Sequence, residues 1–311
     1  MNSLTTDKKL LWKAAIKWPL YSVAIMPILL AFSWKIGTDQ NIRFDQFFGF
    51  LFASILLLIW ENLTNDLFDA DTGIDELKFH SLVQLLGNKK PVRRFATLAL
   101  CLGLILIYIL ALKSSMVIML LVFASCSLGY LYQGPPFRLG YKGLGEPLCW
   151  LAFGPLATAA SLIVITPKDD IAQNIPWETA LWLGAGPALS TTLVLFCSHF
   201  HQVIQDAKHG KRSPLVWLGT EKAAQLIPWL IGLIFSLEII PITLGKWPLS
   251  SIMGLIGLPA ALKLINLLKK HHNQPELISG CKFLALRFQT LNGIGLCIGF
   301  AFSPLLGIDL L

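Results

Sequence analysis

The sequence predicts an all-α membrane protein with nine transmembrane helices. Hydrophobic residues make up 55% of the 311 positions and charged residues only 14%, whereas about a quarter of the residues in soluble domains are charged. Shorter or singly interrupted apolar runs begin at Trp18, Gln46, Ala223 and Trp247. Five further runs contain no Asp, Glu, Lys or Arg and come close to or exceed the roughly 20 residues that cross a bilayer; they are Phe95–Leu112, Ser114–Phe137, Pro147–Pro167, Thr179–Gln205 and Phe288–Ile308.

The apolar runs are continuous, which predicts helices and excludes a transmembrane barrel, whose strands of about ten residues alternate between apolar and polar positions. The composition also excludes a soluble enzyme, a disordered chain and a disulfide scaffold. The six cysteines lie in or beside apolar runs without a CxxC spacing, and we interpret them as small buried hydrophobic residues. We expect one transmembrane domain over residues 1–311, with a retained first helix and no cleaved signal peptide.

The basic residues predict the orientation of the chain in the membrane. When nine spans alternate, 19 of the 25 Lys and Arg residues fall on one side and five on the other. Because positive residues mark cytoplasmic loops, the N-terminus is predicted to be cytoplasmic and the C-terminus to lie across the membrane. We expect an integral multi-pass protein of the plasma or thylakoid membrane.

Acidic residues are concentrated at the predicted cytoplasmic end of the second span, where six of the 18 lie between Glu61 and Glu76. On a helix, Asn62, Asp66 and Asp69 share one face, and Asn65 precedes Asp69 by one turn. Carboxylates this close repel each other unless a cation bridges them. Mg²⁺ takes one or two carboxylates and completes its coordination with water and phosphate oxygens. The spacing therefore predicts a magnesium site at Asp66 and Asp69; the alternative is a solvated acidic helix end.

A second polar segment follows the sixth predicted span. On a helix, His199, Gln202 and Asp206 lie along one face at i, i+3 and i+7. Lys211 and Arg212 follow a glycine and can bring cations to a diphosphate. We expect Asp206 to hold a second Mg²⁺ or to contact it through water, while the alternative for His199 is a hydrogen-bonded interfacial residue.

A third polar segment connects the fourth and fifth predicted spans. Its Pro and Gly residues prevent a continuous helix between Tyr130 and Glu146. Arg138 and Lys142 provide two donors on a short loop, and an ordinary tight connector is the alternative.

These three segments resemble the motifs of the UbiA superfamily of intramembrane aromatic prenyltransferases, and the resemblance covers nearly the whole chain. The family's Asn-Asp-x-x-Asp motif with a later Asp is matched by Asn65, Asp66, Asp69 and Asp75. The family's Tyr-x-x-x-Pro and Gly-x-Gly-Glu loop is matched by Tyr132, Pro136, Gly143, Gly145 and Glu146. The strings His-Phe-His-Gln at 199–202 and Leu-Gly-Thr-Glu at 218–221 resemble the MenA branch.

The resemblance implies nine helices, an active site on the cytoplasmic side and transfer of a phytyl chain from its diphosphate to 1,4-dihydroxy-2-naphthoate. The carboxylate is lost, and the step belongs to phylloquinone biosynthesis or, with a longer prenyl chain, to menaquinone biosynthesis. The expected catalytic and Mg²⁺-binding residues are Asp66, Asp69 and Asp206. The expected substrate-binding residues are Asn62, Asn65, Asp75, Lys78, Tyr132, Arg138, Lys142, His199, Gln202, Lys211 and Arg212. One departure from the superfamily is Gln202, which stands where the first Asp of a second Asp-x-x-x-Asp motif is expected.

Two other functions stay open at the level of the sequence. A multi-span transporter would place its polar groups near the midplane of the membrane, whereas most of the polar groups here lie at the predicted cytoplasmic ends of spans two and six. Prenyltransferases of the tocopherol, chlorophyll, haem or quinone branches share the implied fold. The predicted partners are a prenyl diphosphate, the aromatic acceptor and the lipid bilayer, with no nucleic acid.

Overall fold

The computed structural model describes residues 18–38, 40–73, 81–171 and 174–304, and the regular secondary structure of these ranges is helical. Asp75 and Lys78 lie outside the described residues. In chain order the α-helices are α1 Ser22–Gly37, α2 Phe44–Thr72, α3 Leu82–Leu86, α4 Lys89–Lys113, α5 Val117–Gln133, α6 Gly145–Leu151, α7 Ala157–Val164, α8 Trp177–Ser198, α9 Val203–Lys208, α10 Pro214–Thr243, α11 Leu258–His271 and α12 Cys281–Ala301.

Eight helical segments of the described chain are long and apolar enough to cross a bilayer, and α5 is a ninth, shorter apolar helix. Four of the eight combine helices with adjoining turns, namely Trp18–Gly37, Gly145–Val164, Trp177–Lys208 and Leu249–His271. The predicted all-α membrane fold is confirmed, with eight candidate spans and one shorter apolar helix in the described part of the chain. At about 1.5 Å per residue, the 17 residues of α5 span roughly 25 Å, slightly less than the bilayer core.

The outer surface of the bundle is apolar, as an integral multi-pass membrane protein requires. Large side chains such as Phe48, Phe123 and Trp229 are exposed on it, where lipid and not water covers them.

The cysteine prediction needs one correction. All six cysteines are free, and Cys197 and Cys281 are buried, but Cys101 is exposed because α4 lies at the edge of the bundle.

Irregular turns interrupt several spans close to the functional site. Residues Ala152–Leu156 form a π-helical turn that contains Pro155, whose nitrogen has no hydrogen to donate. A 3₁₀ turn, Phe200–Gln202, separates α8 from α9. Gly219 interrupts α10 with a φ of +78°, a conformation that residues with a side chain rarely adopt. Of these, the 3₁₀ turn Phe200–Gln202 lies between His199 and Asp206, at the end of the bundle where α2 and α8 also end.

Polar contacts and close packing join the C-terminal helices. The side-chain amide of Asn292 donates to Glu238 Oε2 at 2.9 Å and to the carbonyl oxygen of Gly254 at 3.2 Å, which links α12 to α10 and to the 3₁₀ turn Leu249–Gly257. Ser250 Oγ donates to the carbonyl oxygen of Gly299 at 2.6 Å. Small residues and interhelical hydrogen bonds hold membrane bundles together, because lipid provides little hydrophobic driving force between helices.

Candidate active site

The C-terminal end of α2 carries the first predicted motif. Asp66 is only 2% exposed, and its Oδ2 accepts a hydrogen bond of 3.3 Å from the backbone N–H of Leu82. The side-chain amide of Gln133, at the end of α5, donates to Oδ1 of Asp69. The buried amide nitrogen of Asn62 has no hydrogen-bond partner among the described residues. Two carboxylates and an unsatisfied carboxamide therefore occupy the last turns of this helix.

The second motif forms a buried network of charged groups around His199. Asp206 is 1% exposed, and its Oδ2 lies 3.0 Å from His199 Nδ1. The other carboxylate oxygen of Asp206 lies 3.5 Å from Lys211 Nζ. On the opposite side of the imidazole, His199 Nε2 lies 3.7 Å from Glu146 Oε1. Because buried charges need partners, this network orients both His199 and Lys211.

Tyr141 connects the loop after α5 to both motifs. Its hydroxyl lies 2.8 Å from Thr72 Oγ1 at the end of α2, and its carbonyl oxygen accepts a hydrogen bond from the backbone N–H of Arg212 at 2.8 Å. The charged groups of Arg138 and Lys211 lie 5.7 and 5.8 Å from the centre of its ring. Burial raises the pKa of Tyr141 to about 12, so the hydroxyl keeps its proton at neutral pH.

The two motifs face one cavity of about 240 Å³, which we call the polar cavity. From α2, its wall includes Asn62, Asn65, Asp66 and Asp69. From the facing elements, its wall includes Tyr132, His199, Gln202 and Lys211. Eight of the substrate- or metal-binding residues predicted from the sequence therefore meet at one site.

The other predicted residues that the structure describes do not line the polar cavity. Asp206 lies behind its wall and contacts it through His199 and Lys211. Arg138, Lys142 and Arg212 belong to the adjoining loops, where Lys142 and Arg212 are exposed. The expected single helical face of His199, Gln202 and Asp206 is broken by the 3₁₀ turn Phe200–Gln202, yet the contact between His199 and Asp206 forms.

The comparison with protein families agrees with this geometry. Residues 24–286 match the UbiA prenyltransferase family. The chain belongs to this family. A 2-carboxy-1,4-naphthoquinone phytyltransferase of Synechocystis sp. is 37% identical to this prenyltransferase, over 95% of this chain and 94% of the relative. The chloroplastic 2-carboxy-1,4-naphthoquinone phytyltransferase of Arabidopsis thaliana is also 37% identical, over 95% of this chain and 78% of the relative.

The fold also matches a solved structure at low sequence identity. A structure of digeranylgeranylglyceryl phosphate synthase aligns with a TM-score of 0.60 and 16% identity, over 97% of this chain and 99% of that chain. A UbiA homolog from Archaeoglobus fulgidus, solved with GPP and Mg²⁺, aligns with a lower TM-score of 0.49 and 15% identity, over 89% of this chain and 97% of that chain.

Several residues of the site were not among those predicted from the sequence. Glu61, Gln133 and Lys282 line the polar cavity, and Tyr141 joins the two motifs. A signal was present for Glu61 and Gln133, because each is a polar residue at the end of a long apolar run. Lys282 had no local signal, since it belongs to the start of α12 and reaches the site only through helix packing.

The residues of the polar cavity fit a magnesium ion. The carboxylates of Asp66 and Asp69 and the carboxamides of Asn62 and Asn65 provide the oxygen donors that Mg²⁺ prefers. Among the described residues, no three His, Cys, Asp or Glu side chains form a ready-made metal cluster. The remaining coordination positions would therefore fall to water and to phosphate oxygens, as is usual for Mg²⁺.

Proposed function

We propose that the protein transfers a phytyl chain from phytyl diphosphate to 1,4-dihydroxy-2-naphthoate, with loss of the carboxylate, in phylloquinone biosynthesis. The observation that carries this proposal is the polar cavity, in which the acidic end of α2 faces His199, Gln202 and Lys211. Family membership supports prenyl transfer, and the names of the two phytyltransferase relatives support the substrate pair.

Asp66 and Asp69 would hold Mg²⁺, with help from Asn62 or Asn65. When bound, the ion neutralises the diphosphate and so makes it a better leaving group. Lys211 and His199 lie on the opposite wall and bind the diphosphate oxygens there. Asp206 orients His199 and Lys211, and because it lies behind the wall of the cavity, its predicted contact with a second Mg²⁺ would be made through water and not directly.

The loops beside the cavity complete the proposed diphosphate site. Arg138, Lys142 and Arg212 lie near Tyr141, which binds both loops together. Tyr132 and Gln202 line the cavity itself and contact the substrates. Asp75 and Lys78, which follow α2 in the sequence, are proposed to complete the site.

The position of the cavity inside a helical bundle protects the reaction from water. The C–O bond of an allylic diphosphate breaks to leave an organic cation, which water would quench in an open site. Apolar helices surround the polar cavity on the membrane side, and we propose that its polar end opens to the cytoplasm. This orientation rests on the excess of Lys and Arg at that end of the spans, in a plasma or thylakoid membrane.

The proposal is tested with purified protein, 1,4-dihydroxy-2-naphthoate and phytyl, geranylgeranyl or solanesyl diphosphate, in the presence of Mg²⁺ or EDTA. We expect Mg²⁺-dependent formation of a prenylated 1,4-naphthohydroquinone, detected as the quinone after oxidation by air, and release of CO₂ and diphosphate, with phytyl diphosphate preferred. Preference for solanesyl diphosphate would assign the protein to menaquinone biosynthesis. Activity with homogentisate or a chlorophyllide alone would leave prenyl transfer intact and refute the acceptor.

A further inference from the structure

A second cavity continues from the polar cavity into the apolar part of the bundle. This apolar cavity has a volume of about 90 Å³ and is walled mainly by apolar side chains of α1, α2 and α5 and of the span Gly145–Val164. Leu58, Glu61 and Phe153 line both cavities. Glu61 is the one carboxylic acid in the described wall of the apolar cavity, and it has no role in the proposed binding of Mg²⁺ or diphosphate.

The carboxyl group of Glu61 points away from its own helix toward α5. Gly129 on α5 leaves room for it, since a Cβ atom at Gly129 would lie 3.2 Å from the carboxyl carbon of Glu61. No described side chain donates a hydrogen bond to this carboxyl group. A carboxyl group without a partner in the interior of a membrane protein is costly, which suggests that a ligand supplies the missing donor.

The depth of Glu61 in the bundle matches the depth of the reacting carbons. Glu61 precedes Asp66 by five residues and Asp69 by eight, which places it about 7.5 and 12 Å deeper along the axis of α2. In the proposed function the diphosphate binds at the level of Asp66 and Asp69, and the allylic carbon is directly attached to it. The acceptor ring must meet that carbon on the membrane side of the diphosphate, beside Glu61.

Only one of the proposed ligands can donate a hydrogen bond to a carboxylate at this depth. An isoprenoid chain has no donor, and the diphosphate is an anion that a carboxylate repels. The hydroxyl groups of a 1,4-dihydroxynaphthoate ring are donors. A buried hydrogen bond to a carboxyl group also discriminates against analogues that lack the donor, because the acceptor is then left unsatisfied.

We propose that Glu61 is the acceptor-binding residue that selects a hydroxylated aromatic ring, by accepting a hydrogen bond from a ring hydroxyl where the polar and apolar cavities meet. This inference rests on the proposed function, because it takes the acceptor to be a hydroxynaphthoate. In this proposal α2 binds both substrates. Asp66 and Asp69 at its C-terminal end position the diphosphate, and Glu61, about two turns before Asp69, positions the acceptor ring.

The experiment compares the binding of 1,4-dihydroxy-2-naphthoate with that of 2-naphthoate, which lacks both hydroxyl groups, to purified protein by calorimetry. We expect the wild type to bind the dihydroxy compound at least tenfold more tightly. Glu61→Ala reduces this ratio to below threefold, and Glu61→Gln, which keeps the shape of the side chain, reduces it at least threefold. Binding of inorganic pyrophosphate with Mg²⁺ stays within twofold of wild type in both variants.

Glu238→Gln is the matched control, since Glu238 is a buried carboxyl group in another part of the bundle that lines neither cavity. It should leave the binding ratio unchanged. A wild-type ratio in both Glu61 variants would overturn the inference and leave the proposed function standing. If the wild type itself neither binds nor prenylates 1,4-dihydroxy-2-naphthoate, the inference is refuted together with the proposed function. A change in pyrophosphate binding as large as the change in the ratio would show a structural role and also refute it.

Discussion

His199 lies between two acidic side chains, with Asp206 Oδ2 at 3.0 Å from Nδ1 and Glu146 Oε1 at 3.7 Å from Nε2. This geometry gives a physical reason why Gln202 stands where the superfamily motif has an aspartate. A carboxylate at position 202 would add a negative charge to the cavity wall that Gln202 shares with His199 and Lys211, whereas the neutral carboxamide adds none. Lys211, which lies 3.5 Å from Asp206, therefore provides positive charge on the cavity wall that faces Asp66 and Asp69.

The two acids of α2 allow a direct test at the level of single residues. We expect Asp66→Asn and Asp69→Asn each to lower phytyl transfer by about 100-fold or more, because a neutral ligand binds Mg²⁺ and balances the diphosphate poorly. The fold is retained, since a carboxamide oxygen at position 66 can still accept the hydrogen bond from the backbone N–H of Leu82. Initial rates across a Mg²⁺ titration measure the effect.

Asp71→Asn is the matched control for the α2 variants, because Asp71 lies at the same end of the helix but pairs with Lys89 at 2.5 Å. Its activity should stay within twofold of wild type. Equal losses in the three variants would indicate that the acidic end of α2 acts only through its total charge, and they would contradict specific metal binding by Asp66 and Asp69.

Tyr141→Phe tests the link between the first motif and the loops. Loss of the hydrogen bond to Thr72 should lower the free energy of unfolding by about 1 kcal/mol. Because burial raises the pKa of Tyr141 to about 12, the unfolded state loses this proton near pH 10 while the folded state keeps it. The stability contributed by the neutral tyrosine is therefore complete below pH 10 and declines between pH 10 and 12.

Unfolding of detergent-solubilised wild type and Tyr141→Phe, followed by circular dichroism between pH 7 and 12, measures this difference. The difference in unfolding free energy between wild type and Tyr141→Phe should be constant up to about pH 10 and then decrease. Tyr108→Phe serves as the control, since Tyr108 is exposed on the surface of α4. A constant gap up to pH 12 would contradict the raised pKa.

At the level of elements, the helices are joined by close backbone contacts at small residues. Gly299 of α12 packs against the 3₁₀ turn Leu249–Gly257, and a Cβ atom at this position would lie 2.4 Å from the carbonyl oxygen of Ser250. Backbone atoms cannot move aside as a side chain can. This contact fixes the distance between α12 and the start of the span Leu249–His271.

Gly299→Ala should therefore destabilise the protein by about 1 to 3 kcal/mol through overpacking. Gly232→Ala in α10 is the matched control, because no atom lies within 4 Å of the position of its new Cβ. There the loss of backbone freedom in the unfolded chain should leave stability unchanged or slightly raised. Thermal unfolding in detergent compares the two variants, and equal melting temperatures would contradict the packing.

At the level of the whole molecule, many basic residues lie at the same end of the bundle as the polar cavity. The basic residues that predict a cytoplasmic side include Lys208 beside the site, whereas Lys168 lies in the loop at the opposite end of the span Gly145–Val164. Both side chains are exposed. In the proposed orientation, the positive charges at the cytoplasmic end also attract the anionic diphosphate toward the site.

This orientation predicts opposite labelling of two single-cysteine variants. In a background with all native cysteines replaced, Lys208→Cys should react with a membrane-impermeant maleimide only when the cytoplasmic face is accessible, as in inverted vesicles. Lys168→Cys should react only in vesicles of the opposite orientation. Lysis with detergent, which exposes both, is the control. The reverse labelling pattern would place the site on the other side of the membrane.

The sequence alone predicted much of this protein because its strongest signals are local. Long apolar runs predict membrane helices whatever their neighbours are, and the spacing of Asn62, Asp66 and Asp69 places them together because a helix repeats every 3.6 residues. The same helical spacing singled out His199, Gln202 and Asp206 in the second motif. In the structure, residues of both segments line the polar cavity.

Only the tertiary structure decided which side chains share the cavity, because contacts between helices far apart in sequence depend on packing and not on local spacing. Lys282 reaches the cavity from α12, Tyr141 joins the ends of both motifs, and Glu61 enters the apolar wall through the space left by Gly129. The broken helix at Phe200–Gln202 likewise turns Asp206 toward His199 and Lys211. The sequence thus determined the class of protein and the two motifs of the candidate site, and helix packing determined which residues line the polar cavity, because contacts between distant helices are not local in sequence.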